Sequence, residues 1–296
     1  MTSRIWDVVS RRYEQFGFPL VRDEQIIPDD DTTLFVCSGM QRVKNRFRQP
    51  DGSKHGSLQS CIRTNDLELV GDGTHLSYFE MLGNFSFGGN DYENSVELWH
   101  SVVRDLKIDI DCVHVHPTRN DHKELWHKRG YSTVDDLECV WSDGDIGGHC
   151  CELYSRGIEI GNLVNPLNHS TDVGFGYERL HLIVEGVNRV DETSLFNRSY
   201  HPVVRDHSRT LDMLWRNNIE PGNKRRNYVC RRLTRRLLKH LQGGEHFTFD
   251  QWVEQERMLH ERQLKKVQRL WPRNRDKSPS WWWETHGILP EELPNE

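Results

Sequence analysis

Residues 79–89 read FEMLGNFSFGG, and residues 60–73 just before them read SCIRTNDLELVGDG. Phe79 and Met81, then Phe85 and Phe87, fall on alternate positions, the period-two pattern of a strand with one buried face. Gly88 and Gly89 supply a turn at its end. Taken on residues alone, the two segments form a hydrophobic hairpin that carries an arginine, Arg63, and an acid, Glu80. What those two charges do depends on the chain around them.

Outward from this hairpin, short strand-like runs recur at TLFVCSGM (33–40), CVHVHP (112–117), LECVWSD (137–143) and GIEIGNLVN (157–165), separated by Gly, Asp and Asn turns. Helical periodicity covers SRIWDVVSRRYEQFG (3–17), with Ser3 as cap and Gly17 as stop, then residues 91–106, and resumes at GYERLHLIVEGV (176–187). Clustered strands with helices outside the cluster predict an α+β fold, an antiparallel sheet flanked by helices. From about residue 199 strand signals end. RTLDMLWRNN (209–218), YVCRRLTRRLLKHL (228–241) and the run from Phe249 to Trp271 are helical. The chain therefore divides into a catalytic-type domain over 1–198 and a helical domain over 199–296, with an irregular tail from Pro272.

The chain has 296 residues and a formal net charge of −6, so whole-chain charge does not mark a nucleic-acid binder. The charge is uneven: bases dominate from Arg205 to Lys239 and acids from Asp136 to Glu152. Seven cysteines without a repeated spacing suit a reducing cytoplasm rather than a disulfide framework. His149, Cys150 and Cys151 are adjacent and cannot easily close a tetrahedral site, so no zinc is expected. His114 and His116 share a strand face and are read as structural. No apolar run approaches a membrane span, and the N-terminus has no signal-peptide core, which predicts a soluble, cytoplasmic protein without a membrane partner. The chain lacks a phosphate-binding G-x-x-x-x-G-K loop, a dinucleotide G-x-G-x-x-G and a G-x-S-x-G elbow.

FEMLGNFSFG resembles the second signature motif of alanyl-tRNA synthetases, which are class II aminoacyl-tRNA synthetases. TLFVCSGMQRVKNRF (33–47) is similar to the first motif and STDVGFGYERL (170–180) to the third. The resemblance implies ATP- and Mg²⁺-dependent activation of alanine, or a similar small amino acid, to an aminoacyl-adenylate, then transfer to an acceptor. Such chemistry brings like charges together and neutralises the phosphorus in a fixed geometry; it needs little general acid or base. By resemblance, Arg63 bridges the substrate carboxylate and α-phosphate, and Arg179 reaches the γ-phosphate and the adenine. Arg63, Glu80, Phe79, Phe87 and Arg179 are expected at ATP, with Phe79 or Phe87 stacking on adenine unless they pack in the core. Gly39 and Met40 line the amino-acid pocket and Trp141, in VWSDGDIG (140–147), walls it. Asp172 holds the α-ammonium, Gly174 lets the backbone approach, and Asn162 contacts the ammonium. Glu159 is a Mg²⁺ ligand or an outward strand charge.

PGNKRRNYVCRRLTRRLLKHL (221–241) is similar to the acceptor-stem-gripping segment of the same family. It offers Asn223 and the basic residues Arg231, Arg232, Arg235 and Arg236; ETHGILPEEL (284–293) places Glu284 where the family has an acceptor-reading aspartate. Several positions depart from the family. Thr64-Asn65-Asp66 follows Arg63 without a Gly-Gly-Lys-His stretch, and Thr74-His75-Leu76-Ser77 loses an arginine and a histidine. A Pro-Cys-Gly-Pro-Cys loop is shortened to Gly148-His149-Cys150. Gly161 stands for a tryptophan, which would enlarge the pocket. No editing-domain histidine and cysteine signature is present. The acceptor is thus expected to be tRNA, or in a free-standing paralogue a small molecule or carrier. The third alternative is a non-catalytic tRNA-binding protein.

Overall fold

The computed structural model describes residues 4–29, 32–288 and 293, the side chain of Glu284 excepted. Ser3, expected to cap the first helix, lies outside them. The chain divides into two units: one holds residues 1–63, 72–74 and 78–196, the other 64–71, 75–77 and 197–296. The second unit takes two short pieces of the 63–78 connection, which the sequence reading left in the first domain. Their anchors are distant in sequence: the Ser77 amide donates to Asp206 at 2.8 Å and its hydroxyl meets Thr210 at 2.6 Å.

The first unit contains helices α1 (Arg4–Gln15), α2 (Lys44–Arg48), α3 (Tyr92–Leu106), α4 (Asn120–His127) and α5 (Tyr177–Glu185). Its strands are β1 (Leu20–Asp23), β2 (Lys54–Ile62), β3 (Tyr78–Ser86), β4 (Cys112–Val115), β5 (Thr133–Asp135), β6 (Val140–Asp143), β7 (Ile146–Ser155), β8 (Ile158–Val164) and β9 (Thr171–Gly176). They form one sheet in the order β1-β2-β3-β9-β8-β7-β4-β5, with β6 paired to β7. The β1–β2 and β4–β5 pairs at the two ends are parallel and the rest antiparallel. The expected α+β architecture is therefore the one observed. TLFVCSGM departs from its strand expectation. Val36 accepts from Ile62 and donates to Ile26, but no ladder extends from these bonds, and Gly39–Arg42 winds into a 3₁₀ turn.

One face of the sheet is covered by α1 and α3. Ile5, Val8, Val9 and Tyr13 recur at helical spacing on α1 and are buried, as are Val96, Trp99, Val102 and Val103 on α3. Trp99 stacks on Phe175 of β9 with ring centroids 3.5 Å apart and planes 5° from parallel. Its indole N–H donates to Asn84 Oδ1 at 2.7 Å, and Asn84 Nδ2 donates to Ser95 at 2.8 Å, so the buried polar groups are satisfied. Burying an aromatic side chain of this kind stabilises by about 1.5–3 kcal/mol. Because strand side chains alternate, Leu82 and Asn84 on this face leave Phe79, Met81 and Gly83 for the other.

The second unit holds α6 (Pro202–Arg216), α7 (Arg225–His240), α8 (Asp250–Asn274) and α9 (Pro279–His286). The tail from Pro272, expected to be irregular, contains α9. Trp282 on it is fully buried with Val267 and Ile288, against Leu270, Trp271 and Trp281. Three consecutive tryptophans cannot all face one apolar side of a helix, which hid the element from periodicity.

Candidate active site

The sheet face opposite α1 and α3 gathers most of the residues expected at the amino acid and ATP. On β9, Asp172, Gly174 and Gly176 point to it by alternation; β8 contributes Asn162, paired in register with Gly174. A Cβ on Gly174 would lie 3.0 Å from Met81 Sδ and 3.6 Å from Asn162 Oδ1, so glycine is what brings these three side by side.

β8 reaches this arrangement through a bulge. Leu153 pairs with Gly161 and Tyr154 with Glu159, so Ile160 is the extra residue. The extra residue puts Glu159 and Asn162 on one face although they are three apart. It also turns Gly161 to the other face, where a Cβ would come 2.3 Å from the Phe175 ring. The pocket enlargement expected at Gly161 is therefore absent: Phe175, locked against Trp99, fills that volume.

Asp172 is 7% exposed, and burial pushes its carboxyl up to about 7. Among the described residues it has neither a hydrogen-bond donor nor a cation on its side chain. A cation beside a buried acid in this state would lower the cost of ionising it.

Arg179, in the first turn of α5, donates from Nη1 to the Glu159 carbonyl at 2.7 Å and to its carboxylate at 3.1 Å. Glu159 thus serves first as the arginine's anchor. Glu152 stands nearby, its carboxyl raised by burial and then by the charge of Glu159; it accepts from Tyr154 at 3.1 Å. Tyr154 in turn packs on His114, which bonds Asp136 at 2.8 Å. Glu152 and Tyr154 were missed by sequence reasoning, whose only cue would have been their alternation on β7. His114, read as structural, is tied into the same network.

Arg63 is exposed. Its Nε donates to the Cys37 carbonyl at 3.1 Å and its guanidinium lies 4.9 Å over the Phe79 ring. Phe79 therefore supports Arg63. Phe87 is corrected as an adenine contact. It is fully buried, 4.9 Å from Phe47, in a cluster with Met40, Val43, Phe85 and Ile146, against which Trp141 packs. Met40 and Trp141 thus share one apolar cluster. Glu80 is also corrected. It is buried on the α1 side of β3 and pairs with Arg22 at 2.8 Å, while Arg22 lies over Trp6 of α1. The alternation that sends Phe79 and Met81 to the site sends Glu80 away from it.

Of the His149-Cys150-Cys151 run, Cys151 turns to Tyr92 and His122 while Cys150 meets Cys139 and Glu152. The ligand atoms of Cys139, Cys150 and Glu152 lie within 4.8 Å of one another, a grouping invisible without the β6–β7 pairing.

In the second unit, α7 departs from its expected basic face. Arg235 is fully buried, bonded to Glu256 at 3.1 Å and to the Gly287 carbonyl at 2.9 Å. Arg231 bonds Glu256 at 2.9 Å and also Asn223, whose side chain is therefore engaged rather than capping α7. Arg232 and Arg236 both pair with Glu68. All four arginines are spent on internal acids, which corrects their assignment as an open polyanion-gripping set. Glu284 lies on α9, its side chain outside the described residues.

One face of this largely antiparallel sheet thus carries Arg63, the buried acid Asp172 and Arg179. The chain belongs to the class II (A) tRNA synthetases, whose family model matches residues 12–195. Alanine–tRNA ligases of Desulfitobacterium hafniense and Rhizobium johnstonii are each 31% identical to it, over 80% and 78% of this chain. The chain spans about a third of the length of these curated relatives, 35% and 34%. Among solved structures, a pyrrolysyl-tRNA synthetase of Desulfitobacterium hafniense aligns with a TM-score of 0.43 and 15% identity, over 64% of this chain and 70% of that one. A putative aspartyl-tRNA synthetase of Leishmania major Friedlin aligns at 0.41 and 11%, over 63% and 62%. No described helix is long and apolar enough to cross a membrane.

Proposed function

We propose that this chain activates alanine, or a similarly small amino acid, with ATP and passes it to an acceptor, tRNA first among them. The observation that carries the reading is Asp172, a buried carboxyl raised to about 7 beside Gly174 and Asn162, in want of a cation. An α-ammonium there leaves the amino-acid carboxylate free to attack the α-phosphorus of ATP. A carboxylate oxygen forms the new P–O bond and pyrophosphate leaves. Arg63 suits the approach of two anions, since its planar fork donates to both. Arg179, oriented by Glu159, suits the departing phosphates.

Glu159 and Glu152, close enough for one charge to raise the other's carboxyl, fit a hard divalent cation such as Mg²⁺. When bound, that ion would screen the phosphate charge there. In the second step an acceptor hydroxyl would attack the acyl carbon and AMP would leave.

Pyrophosphate exchange into ATP with a panel of amino acids tests this reading. Exchange that depends on alanine or another small amino acid supports it; exchange with none leaves a non-catalytic binding protein. The alternative of a small-molecule or carrier acceptor draws support from the four α7 arginines, all held internally. Charging of total tRNA separates the two acceptors. All cysteines are free, which accords with a cytoplasmic setting.

A further inference from the structure

Cys139 immediately precedes β6, and Cys150 lies on β7. The β6–β7 register runs from Asp143 against Ile146 to Val140 against His149. One step further the Cys150 amide donates to the Cys139 carbonyl at 3.0 Å, so the two cysteines stand opposite each other. Residues so opposed have Cβ atoms about 4.5–5.5 Å apart on one face. Glu152 follows Cys150 by two residues and shares that face, whereas Cys151 turns to Tyr92 and His122. Both Cys139 and Cys150 are buried, with Val164 and Trp141 packed around them. Their sulfurs and a Glu152 carboxylate oxygen all lie within 4.8 Å of one another.

Donors of this kind suit one class of ion. With Zn–S near 2.3 Å and Zn–O near 2.1 Å, a tetrahedral ion holds its ligand atoms about 3.5–3.8 Å apart, which side-chain shifts of about 1 Å would reach here. Two thiolates favour Zn²⁺ over Mg²⁺, which prefers oxygen ligands alone. The adjacent run His149-Cys150-Cys151 cannot close such a site; the β6–β7 pairing supplies Cys139 from the neighbouring strand. Glu152 accepts from Tyr154 at 3.1 Å through one oxygen. A carboxylate has about four lone-pair sites, enough to serve this ion beside the Mg²⁺ suggested with Glu159. Three protein ligands leave a fourth position for water or a donor atom of a bound ligand. The thiols are closed off and Glu152 is half-buried beside its register partner Asn162, so that position is reached from the Asn162 side.

We propose that Cys139, Cys150 and Glu152 hold a thiophilic divalent cation of the zinc class. Binding displaces the two thiol protons to solvent. It ties β6, which pairs with β7 alone among the described strands, to the main sheet through side chains as well as backbone. Trp141 lies two residues along from Cys139 and packs on both the cysteine pair and the Met40 cluster, so the cation also fixes that tryptophan. The site needs neither ATP nor an amino acid and stands or falls apart from the activation reading.

The test uses the full chain, freed of metal by a chelator under reducing conditions. It is titrated with Zn²⁺ against a chromophoric chelator and, separately, with Co²⁺ followed by absorption. Wild type should take up about one Zn²⁺, and its Co²⁺ form should show thiolate-to-cobalt charge transfer with the intense visible bands of a tetrahedral ion. Cys139→Ala and Cys150→Ala should each weaken Zn²⁺ binding by more than the 10- to 100-fold or so that a lost outer-shell partner costs. Both should lose charge-transfer intensity, while Cys112→Ala, altered on β4, should match wild type. Zn²⁺ should raise the melting temperature of wild type and not of Cys139→Ala, the fold of each variant being checked by circular dichroism. A wild type that takes up no Zn²⁺, a Co²⁺ spectrum without sulfur ligation, or Zn²⁺ binding unchanged in both cysteine variants overturns the proposal. The first two outcomes are read on the unaltered chain and do not depend on any variant folding.

Discussion

Arg179 and Glu159 are joined twice, once through the Glu159 carbonyl at 2.7 Å and once through its carboxylate at 3.1 Å. The pair fixes an otherwise half-exposed arginine on the site face of the sheet. Arg179→Ala is expected to lower amino-acid-dependent pyrophosphate exchange by about 100- to 1000-fold, the range for losing one charge-stabilising donor. Glu159→Gln keeps the carbonyl contact and should cost about tenfold. Neither should move the urea midpoint by more than the equivalent of about 1 kcal/mol, because the pair is solvent-accessible. Wild-type exchange by Arg179→Ala would remove its assigned role.

Asp172 couples pH to stability. Its carboxyl sits at about 7 in the folded chain against an ordinary value of 3.8. Below the lower value it is protonated folded and unfolded alike. Between the two, the unfolded chain releases the proton and the folded chain keeps it, so stability falls as pH rises through this window and levels off above it. Asp172→Asn should therefore stabilise the protein at pH 8 by on the order of 1–4 kcal/mol and do little near pH 4, as thermal melts would show. The same variant should raise the KM for the amino acid at least about 100-fold.

Gly161 should resist any side chain. An alanine there meets the Phe175 ring at 2.3 Å, and that ring is trapped against Trp99. Gly161→Ala is expected to destabilise by about 1–3 kcal/mol in urea unfolding, and Gly161→Trp to prevent soluble folding. A soluble Gly161→Trp protein with full exchange activity would show that the volume is open after all.

The α7 arginines should differ in stability effects. Arg235→Ala leaves the buried carboxylate of Glu256 with Arg231 alone and should cost up to about 3–5 kcal/mol, whereas replacing the whole triad, Arg231→Met/Arg235→Met/Glu256→Leu, should cost much less. Arg232→Ala should cost at most about 1 kcal/mol, because Glu68 is largely exposed. Urea midpoints of the three variants check the order.

The sequence made some of this plain and concealed the rest for physical reasons. The alternation of Phe79, Met81 and Phe85 gives β3 and its facing, and helical spacing gives α1, α3 and α5. Glu80 belongs to the α1 side by the same alternation, yet its partner Arg22 is far away in the chain. The facing of Glu159 and Asn162 depends on the bulge at Ile160, which no local pattern announces. α7 reads as an open basic helix because Glu68 and Glu256, the acids that neutralise it, come from other segments.

If the Asp172 face activates an amino acid, it forms an aminoacyl-adenylate. Mixing the chain with ATP, Mg²⁺ and each amino acid in turn, then analysing the desalted protein by mass spectrometry, observes that species directly. Wild type should carry the adenylate of alanine or another small amino acid, and Asp172→Asn should carry none. Absence of any adenylate on the wild type, with ATP intact across the panel, would mean that this face does not activate amino acids.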